Sequence, residues 1–277
     1  MGSTRAEPLV DADADRPIRV AVLASEGDAR LRYLLEDDPD HGETYELVGG
    51  FVNAGESAAA DLLEDHGVPV ETRDIHDFYD ERGAPLSDMD VRRAFDERVA
   101  ETLAGYDPDL VVLSGYLHVV TAPVPDRFFP RIVNVHHGDL TVRDESGEPV
   151  YTGLNAVEDA VRAGEASTHE TTHLVTEDVD RGPLVARSRP FTIHRDLVAD
   201  VRERGAEDVL SAYVYAHRAW MIREGGGPTL AKTIDLVADG RVAYDPDEGA
   251  TYVDGRRGYY QLGEGVVVPG AGRPVED

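Results

Sequence analysis

Arg131-Ile132-Val133-Asn134-Val135-His136-His137 reads as an apolar strand that delivers an amide and an imidazole two residues apart. Side chains two apart in a strand point to the same side, so Asn134 and His136 are expected to converge on one small volume. Upstream, Leu110-Val111-Val112-Leu113-Ser114 is a second buried strand, introduced by the turn Asp107-Pro108-Asp109. Met89 to Ala104 places Val91, Phe95, Val99 and Leu103 at helical spacing and predicts an amphipathic helix over one sheet face. Further back, Ile18 to Leu23 runs through the polar turn Ser25-Glu26-Gly27-Asp28 into a helix carrying Leu31, Leu34 and Leu35. Glu46 to Val52 reads as the next strand, followed by a helix through Ala58 to Leu63 and then Val68-Pro69-Val70. Strands alternating with helices predict an α/β fold: a mostly parallel, Rossmann-like sheet with helices on both faces. Ligands of such sheets bind beyond the carboxyl ends of the strands, where Ser25, Gly115 and His136 fall.

Downstream, Val175 to Val185 brings a carboxylate, Asp180, held in a turn. If Asp180 reaches His136, an orienting acid, an imidazole and a hydrogen-bond donor stand in one place, the set that acyl transfer uses. Residues Asp74 to Asp88 read as a polar connection. Ala206 to Arg223 and Leu230 to Ala238 have helical spacing, and Gly225-Gly226-Gly227-Pro228 between them predicts a helix–turn–helix hairpin. From Gly240 onward, Val242 to Tyr244, Thr251 to Val253 and Tyr259 to Leu262 predict short strands, and Pro269 to Asp277 is expected to fray. The expected organisation is a disordered leader (1–16), an α/β domain (17–195), C-terminal helices (196–239) and a short-strand tail (240–277). The tail reads either as a pairing surface for a homodimer or as a cover for the site.

Of 277 residues, 27 are Lys or Arg and 55 are Asp or Glu, giving a net charge of -28; the only lysine is Lys232. Such a field repels polyanions and argues against nucleic acid or an anionic membrane as partner. Acid excess with almost no lysine resembles the proteins of salt-loving organisms. Without cysteine there are no disulfides or thiolate metal sites. The apolar runs are too short to span a bilayer and Met1 to Pro17 lacks a secretory pattern, so a cytoplasmic protein is expected.

Five stretches in order carry a resemblance: Gly115-Tyr116-Leu117-His118-Val119-Val120, Phe129 to His136, Tyr151 to Ala160, Thr172 to Val175, and Val179 to Val185. Together they resemble the successive motifs of the formyltransferase family, whose best-known members are phosphoribosylglycinamide formyltransferases of purine synthesis. The resemblance implies 10-formyltetrahydrofolate as co-substrate, a small-molecule amine as acceptor and no metal. Carried over by position, Asn134, His136 and Asp180 match the catalytic residues, and Leu117, His118, Val119, Val120, Glu177 and Asp178 match the folate pocket. Ser25, Gly27, Asp28, Ala29 and Arg30 match the turn that holds the substrate's ribose phosphate, and Arg30 and Arg32 would compensate the two acids of that turn, Glu26 and Asp28. In the implied chemistry Asn134 and a protonated His136, its pKa raised by Asp180, donate hydrogen bonds to the formyl oxygen.

The chain departs from the family in three places, one of them the segment from Gly138 to Val150, which is longer and more acidic than usual. Where the family has proline and serine after the histidine, this chain has His137-Gly138-Asp139, and its first turn is acidic. Alternative readings are an amino-sugar or nucleotide-sugar acceptor, water as acceptor (a deformylase of the folate), and a homologue that only binds folate. A metal-dependent hydrolase using His136, His137, His169, His173 and Asp180 is the rival mechanism. Strand alternation argues against it by placing His136 and His137 on opposite faces. His173 reads equally as a core residue or as a support for Asp180.

Overall fold

The computed structural model describes residues 6–11, 16–25, 27 and 29–269. The first element is a two-residue strand, β1 (Glu7–Pro8), where a leader was expected; it pairs antiparallel with Ala243 and Tyr244. Leu9 and Val10 are buried beside it, which supplies the apolar contact that holds this segment down. Next come β2 (Ile18–Ala24), β3 (Tyr45–Val52), β4 (Val70–Thr72), β5 (Leu110–Ser114) and β6 (Ile132–His136), all mutually parallel. After the small strand β7 (Ser167–Thr168), β8 (Thr171–Leu174) returns antiparallel to β6 and β9 (Leu184–Arg187) antiparallel to β8. Strand β10 (Phe191–Thr192) pairs only with β7. The tail provides β11 (Val242–Asp245), β12 (Ala250–Val253), β13 (Arg256–Arg257), β14 (Tyr259–Gln261) and β15 (Gly265–Val267). The central sheet has nine strands in the order β15-β14-β9-β8-β6-β5-β2-β3-β4, so the last two strands of the tail belong to the main sheet, while β11, β12 and β13 join β1 in a separate four-stranded sheet.

Helices cover both faces because strand side chains alternate. Val20, Val22, Val112 and Val133 face one core with Leu62 and Leu63 of α2 (Ala58–Asp65). Ala21, Leu23, Val111 and Ile132 face the other, with Ile75 and Phe78 of α3 (Ile75–Asp80), Phe95, Val99 and Leu103 of α4 (Met89–Gly105) and Val124 of α5 (Pro123–Phe128). Each such Val, Leu, Ile or Phe side chain contributes about 1.5–3 kcal/mol when fully buried. The short α1 (Ala29–Arg32) continues into a π-helical turn, Tyr33–Asp37. A third core joins α6 (Ala156–Ala163), α7 (Arg195–Glu203) and α8 (Glu207–Met221) through Val161, Val198, Val201 and Leu210.

The structure corrects two further expectations. The polar connection contains α3, capped by Asp74, whose carboxylate accepts from the N–H groups of His76 and Asp77. The three glycines do not make a hairpin turn: α8 runs through a π-helical segment, Ile222–Gly226, into α9 (Gly227–Ala238), with right-handed helical backbone across the junction. The glycines are there for close packing, since a Cβ on Gly227 would lie 2.4 Å from Tyr33 Cβ. Of the expected frayed end, residues 270–277 lie outside the described residues.

Candidate active site

Strand β6 ends at the carboxyl edge of the sheet, and the side chains of Asn134 and His136 share one cleft of about 250 Å³. The antiparallel neighbour β8 places His173 opposite Asn134 in register. From the turn between β8 and β9, Asp180 reaches back into the same volume. Its backbone is left-handed at φ 54°, a conformation that aspartate tolerates better than most residues.

Asp180 Oδ2 lies 3.3 Å from His136 Nδ1 and accepts from Gly153 N–H at 2.7 Å; Oδ1 lies 3.4 Å from His173 Nε2. Asn134 Nδ2 lies 3.2 Å from His173 Nε2 and 3.5 Å from Asp180 Oδ1. His136 Nε2 donates to the Tyr151 carbonyl at 2.9 Å, so both ring nitrogens face oxygen acceptors, that carbonyl and the Asp180 carboxylate. Burial pushes the Asp180 carboxyl up, but His173, His136 and the Gly153 N–H outweigh it and hold the group well below the usual carboxylate range. For His136 the balance runs the other way. Burial lowers its pKa, and Asp180 and the Tyr151 carbonyl only partly restore it. Desolvation is therefore the larger influence on this ring, against the rise expected from Asp180.

All six residues expected to form the folate pocket, Leu117, His118, Val119, Val120, Glu177 and Asp178, line this cleft. Leu117, Val119, Leu154 and Val179 expose apolar side chains around it, although large apolar groups usually avoid solvent. Beside them His118 is held by Asn53 Nδ2 at 2.9 Å, and burial, with the charge of Arg92, pushes its pKa down to about 4.

The residues expected to bind substrate behave differently. Ser25 is buried; its Oγ accepts from Leu117 N–H at 3.1 Å, which fixes the cleft wall. Gly27 and Ala29 are exposed, and Asp28 lies outside the described residues. The Arg30 guanidinium is buried against Glu170 at 3.0 Å, and Glu26, the other acid of the turn, also lies outside the described residues. Arg32 pairs with Glu36 at 2.7 Å.

His137 also departs from expectation. The strand ends at His136, so alternation no longer applies and the two imidazoles stack, with centroids 6.2 Å apart and planes at 18°. Among the described residues no group of three or more His, Cys, Asp or Glu is arranged to hold a metal; His169 Nδ1, for instance, bonds the Ser188 carbonyl. Sequence reasoning gave no role to Tyr151, Gly153 and Asn53. The first two act through main-chain atoms, which residue type cannot reveal.

An acid, imidazole and amide gathered in a cleft at the strand ends of an α/β sheet define an enzyme of the group-transfer class. The sequence matches the Formyl transferase family over residues 18–216, and the chain belongs to that family. Among relatives, the phosphoribosylglycinamide formyltransferase of Mycobacterium tuberculosis is 31% identical over 188 residues, 68% of this chain and 78% of that one. The formyltetrahydrofolate deformylase of Escherichia coli K12 is 28% identical over 135 residues, 48% of this chain and 45% of the other, so the chain spans under half of that relative. It likewise spans 50% of the Haemophilus influenzae phosphoribosylglycinamide formyltransferase it matches. The crystal structure of glycinamide ribonucleotide transformylase 1 from Symbiobacterium toebii shares the fold, with TM-score 0.62, 24% identity, and coverage of 87% of this chain and 95% of that one.

Proposed function

We propose that this protein transfers the formyl group of 10-formyltetrahydrofolate to the amine of a small acceptor, with phosphoribosylglycinamide, and so purine synthesis, as the leading assignment. The observation that carries this reading is the convergence of Asn134, His136, His173 and Asp180, with contacts of 3.2 to 3.5 Å, in a cleft with an apolar rim. Leu117, Val119 and Val179 suit a flat heteroaromatic ring, and Glu177 and Asp178 add acceptors for its polar edge. When bound, the folate supplies an activated formyl group. Asn134 is half-buried, so one of its two amide hydrogens can serve the developing oxyanion while the other faces His173. The amine attacks the formyl carbon as the bond from that carbon to the folate nitrogen breaks; the proton the amine releases is taken up at His136, beside Asp180, and passed to the departing folate nitrogen. The imidazolium then formed is held on both sides, by Asp180 and by the Tyr151 carbonyl. No helix among the described residues is long and apolar enough to cross a membrane.

Water is the competing acceptor, and the similarity to the Escherichia coli deformylase supports that second reading. The test is turnover of 10-formyltetrahydrofolate in potassium chloride, with and without phosphoribosylglycinamide. We expect turnover that requires the acceptor and falls about 100- to 1,000-fold in Asn134→Ala. Acceptor-independent turnover would establish the deformylase reading, and folate binding without any turnover would sink both.

A further inference from the structure

Behind the cleft, three side chains rarely buried together meet. Arg30 Nη2 donates to Glu170 Oε2 at 3.0 Å and to His137 Nδ1 at 2.5 Å, with Glu170 0% and Arg30 4% exposed. The Gly225–Gly226 pair makes room for them: a Cβ on Gly226 would lie 2.6 Å from Arg30 Nε, and one on Gly225 3.2 Å from Glu170 Cγ. Glu170 Oε1 lies farther from the same nitrogen, at 3.6 Å, and since a guanidinium has donors only, the nearer Arg30 contact makes His137 Nδ1 the acceptor. Burial and the adjacent Arg30 charge push the His137 pKa down to about 4, which leaves the ring neutral with its proton on Nε2. The Arg30–Glu170 pair thus cancels its own charge and fixes the His137 tautomer.

The consequence appears on the other side of the ring. His137 lines the cleft, and its Nε2 lies 3.5 Å from Arg218 Nη2 on α8. Both groups are donors, so this contact is not a hydrogen bond; two N–H groups converge with no acceptor between them. Arg218 is half-buried and, among the described residues, has no carboxylate partner. In a chain with 55 acidic side chains against 27 basic ones, a half-buried cation with no carboxylate beside it, set against a histidine that lines the cleft, is placed to take an external anion.

We propose that Arg218 and His137 Nε2–H form the subsite for an anionic group, a phosphate or a carboxylate, carried by the formyl-accepting amine. The proposal rests on the reading of the cleft as a formyl-transfer site. It moves anion recognition from the first βα turn, whose arginine is committed to Glu170, to a helix near the chain's C-terminal third. Because His137 stacks on His136 at 6.2 Å, the anion sits about one ring beyond the reacting imidazole. The acceptor therefore carries its anionic group several bonds from its amine.

The test is direct anion binding without folate. Inorganic phosphate, followed by phosphorus NMR line broadening, and acetate labelled with carbon-13 form two arms, each titrated into wild type, Arg218→Gln and Arg218→Lys at one fixed potassium chloride concentration. At least one anion is expected to bind wild type, to bind Arg218→Gln about tenfold or more weakly, and to regain part of that affinity in Arg218→Lys. Binding of phosphate alone assigns a phosphorylated acceptor, and binding of acetate alone a carboxylated one. Equal binding in Arg218→Gln and wild type, or no binding of either anion to wild type, overturns the subsite. Circular dichroism of each variant verifies the fold. Since neither arm involves formyl transfer, an inactive enzyme that still loses anion binding in Arg218→Gln would refute the transfer reading and leave the subsite standing.

Discussion

At the cleft floor one carboxylate, Asp180, faces two imidazoles, and burial decides which partner keeps its charge. The carboxylate keeps its own, stabilised by the Gly153 N–H and by His173, whereas burial lowers the pKa of His136 against the pull of Asp180 and the Tyr151 carbonyl. That assignment has a measurable sign. A histidine base is active when deprotonated, and the pKa of His136 is lowered from 6.5, so activity should hold as pH falls from 8 to 6.5 and decline only below that value. The pH dependence of kcat/KM checks it. An acid limb centred above 6.5 would mean that the resting ring is charged and that the Asp180 pairing outweighs desolvation.

The turn between β8 and β9 sets where Asp180 can stand. Arg181 in this turn pairs with Glu148 across the surface, and Gly182 packs so closely that a Cβ would lie 1.8 Å from the Leu174 carbonyl oxygen. Backbone cannot yield as a side-chain tip can. Gly182→Ala is therefore expected to cost at least about 1–3 kcal/mol and to shift Asp180 from His136. Denaturant unfolding and kcat, measured together, would show both losses; a fully active, equally stable variant would mean that the turn does not position the acid. Elements also show where sequence patterns mislead. Asp74 caps a helix that buries Ile75, Phe78 and Tyr79, yet the segment read as a polar connection because six residues give too little periodicity to stand out among the surrounding Asp and Gly. The glycines at 225 to 227 read as a break because glycine is a poor helix former, yet they are retained for contact with Phe191, Arg30 and Tyr33.

Over the whole molecule, the sheet joins segments far apart in the chain. Strand β14 pairs parallel with β9 through Tyr260 and Ala186, and Gln261 accepts from Arg187 Nε at 2.6 Å while donating to the Ser188 carbonyl at 2.6 Å. Arg187 in turn holds Asp139, two residues beyond His137, at 3.1 Å. Ending the chain at Asp254 removes β13, β14 and β15 and should lower stability by about 3 kcal/mol or more, because buried partners of Arg187 and Ser188 are lost. Hydrogen exchange should then quicken across Leu184–Arg187. Unchanged protection there would show that the tail is not part of the cooperative unit.

The alternation of strand and helix, the strand that carries Asn134 and His136, and the resemblance across five motifs were all fixed by local patterns: periodicity two, periodicity near four, and residue types in order. Such patterns are visible in sequence because each depends on neighbours a few residues away. What tertiary structure alone decided were the charges and the long-range partners. Whether His136 is neutral depends on its burial and on contacts with Tyr151 and Asp180, and whether Arg30 is free depends on Glu170, 140 positions away. Desolvation and ion pairing act through space, so a residue's type gives its repertoire and only its surroundings in the fold select the state it holds.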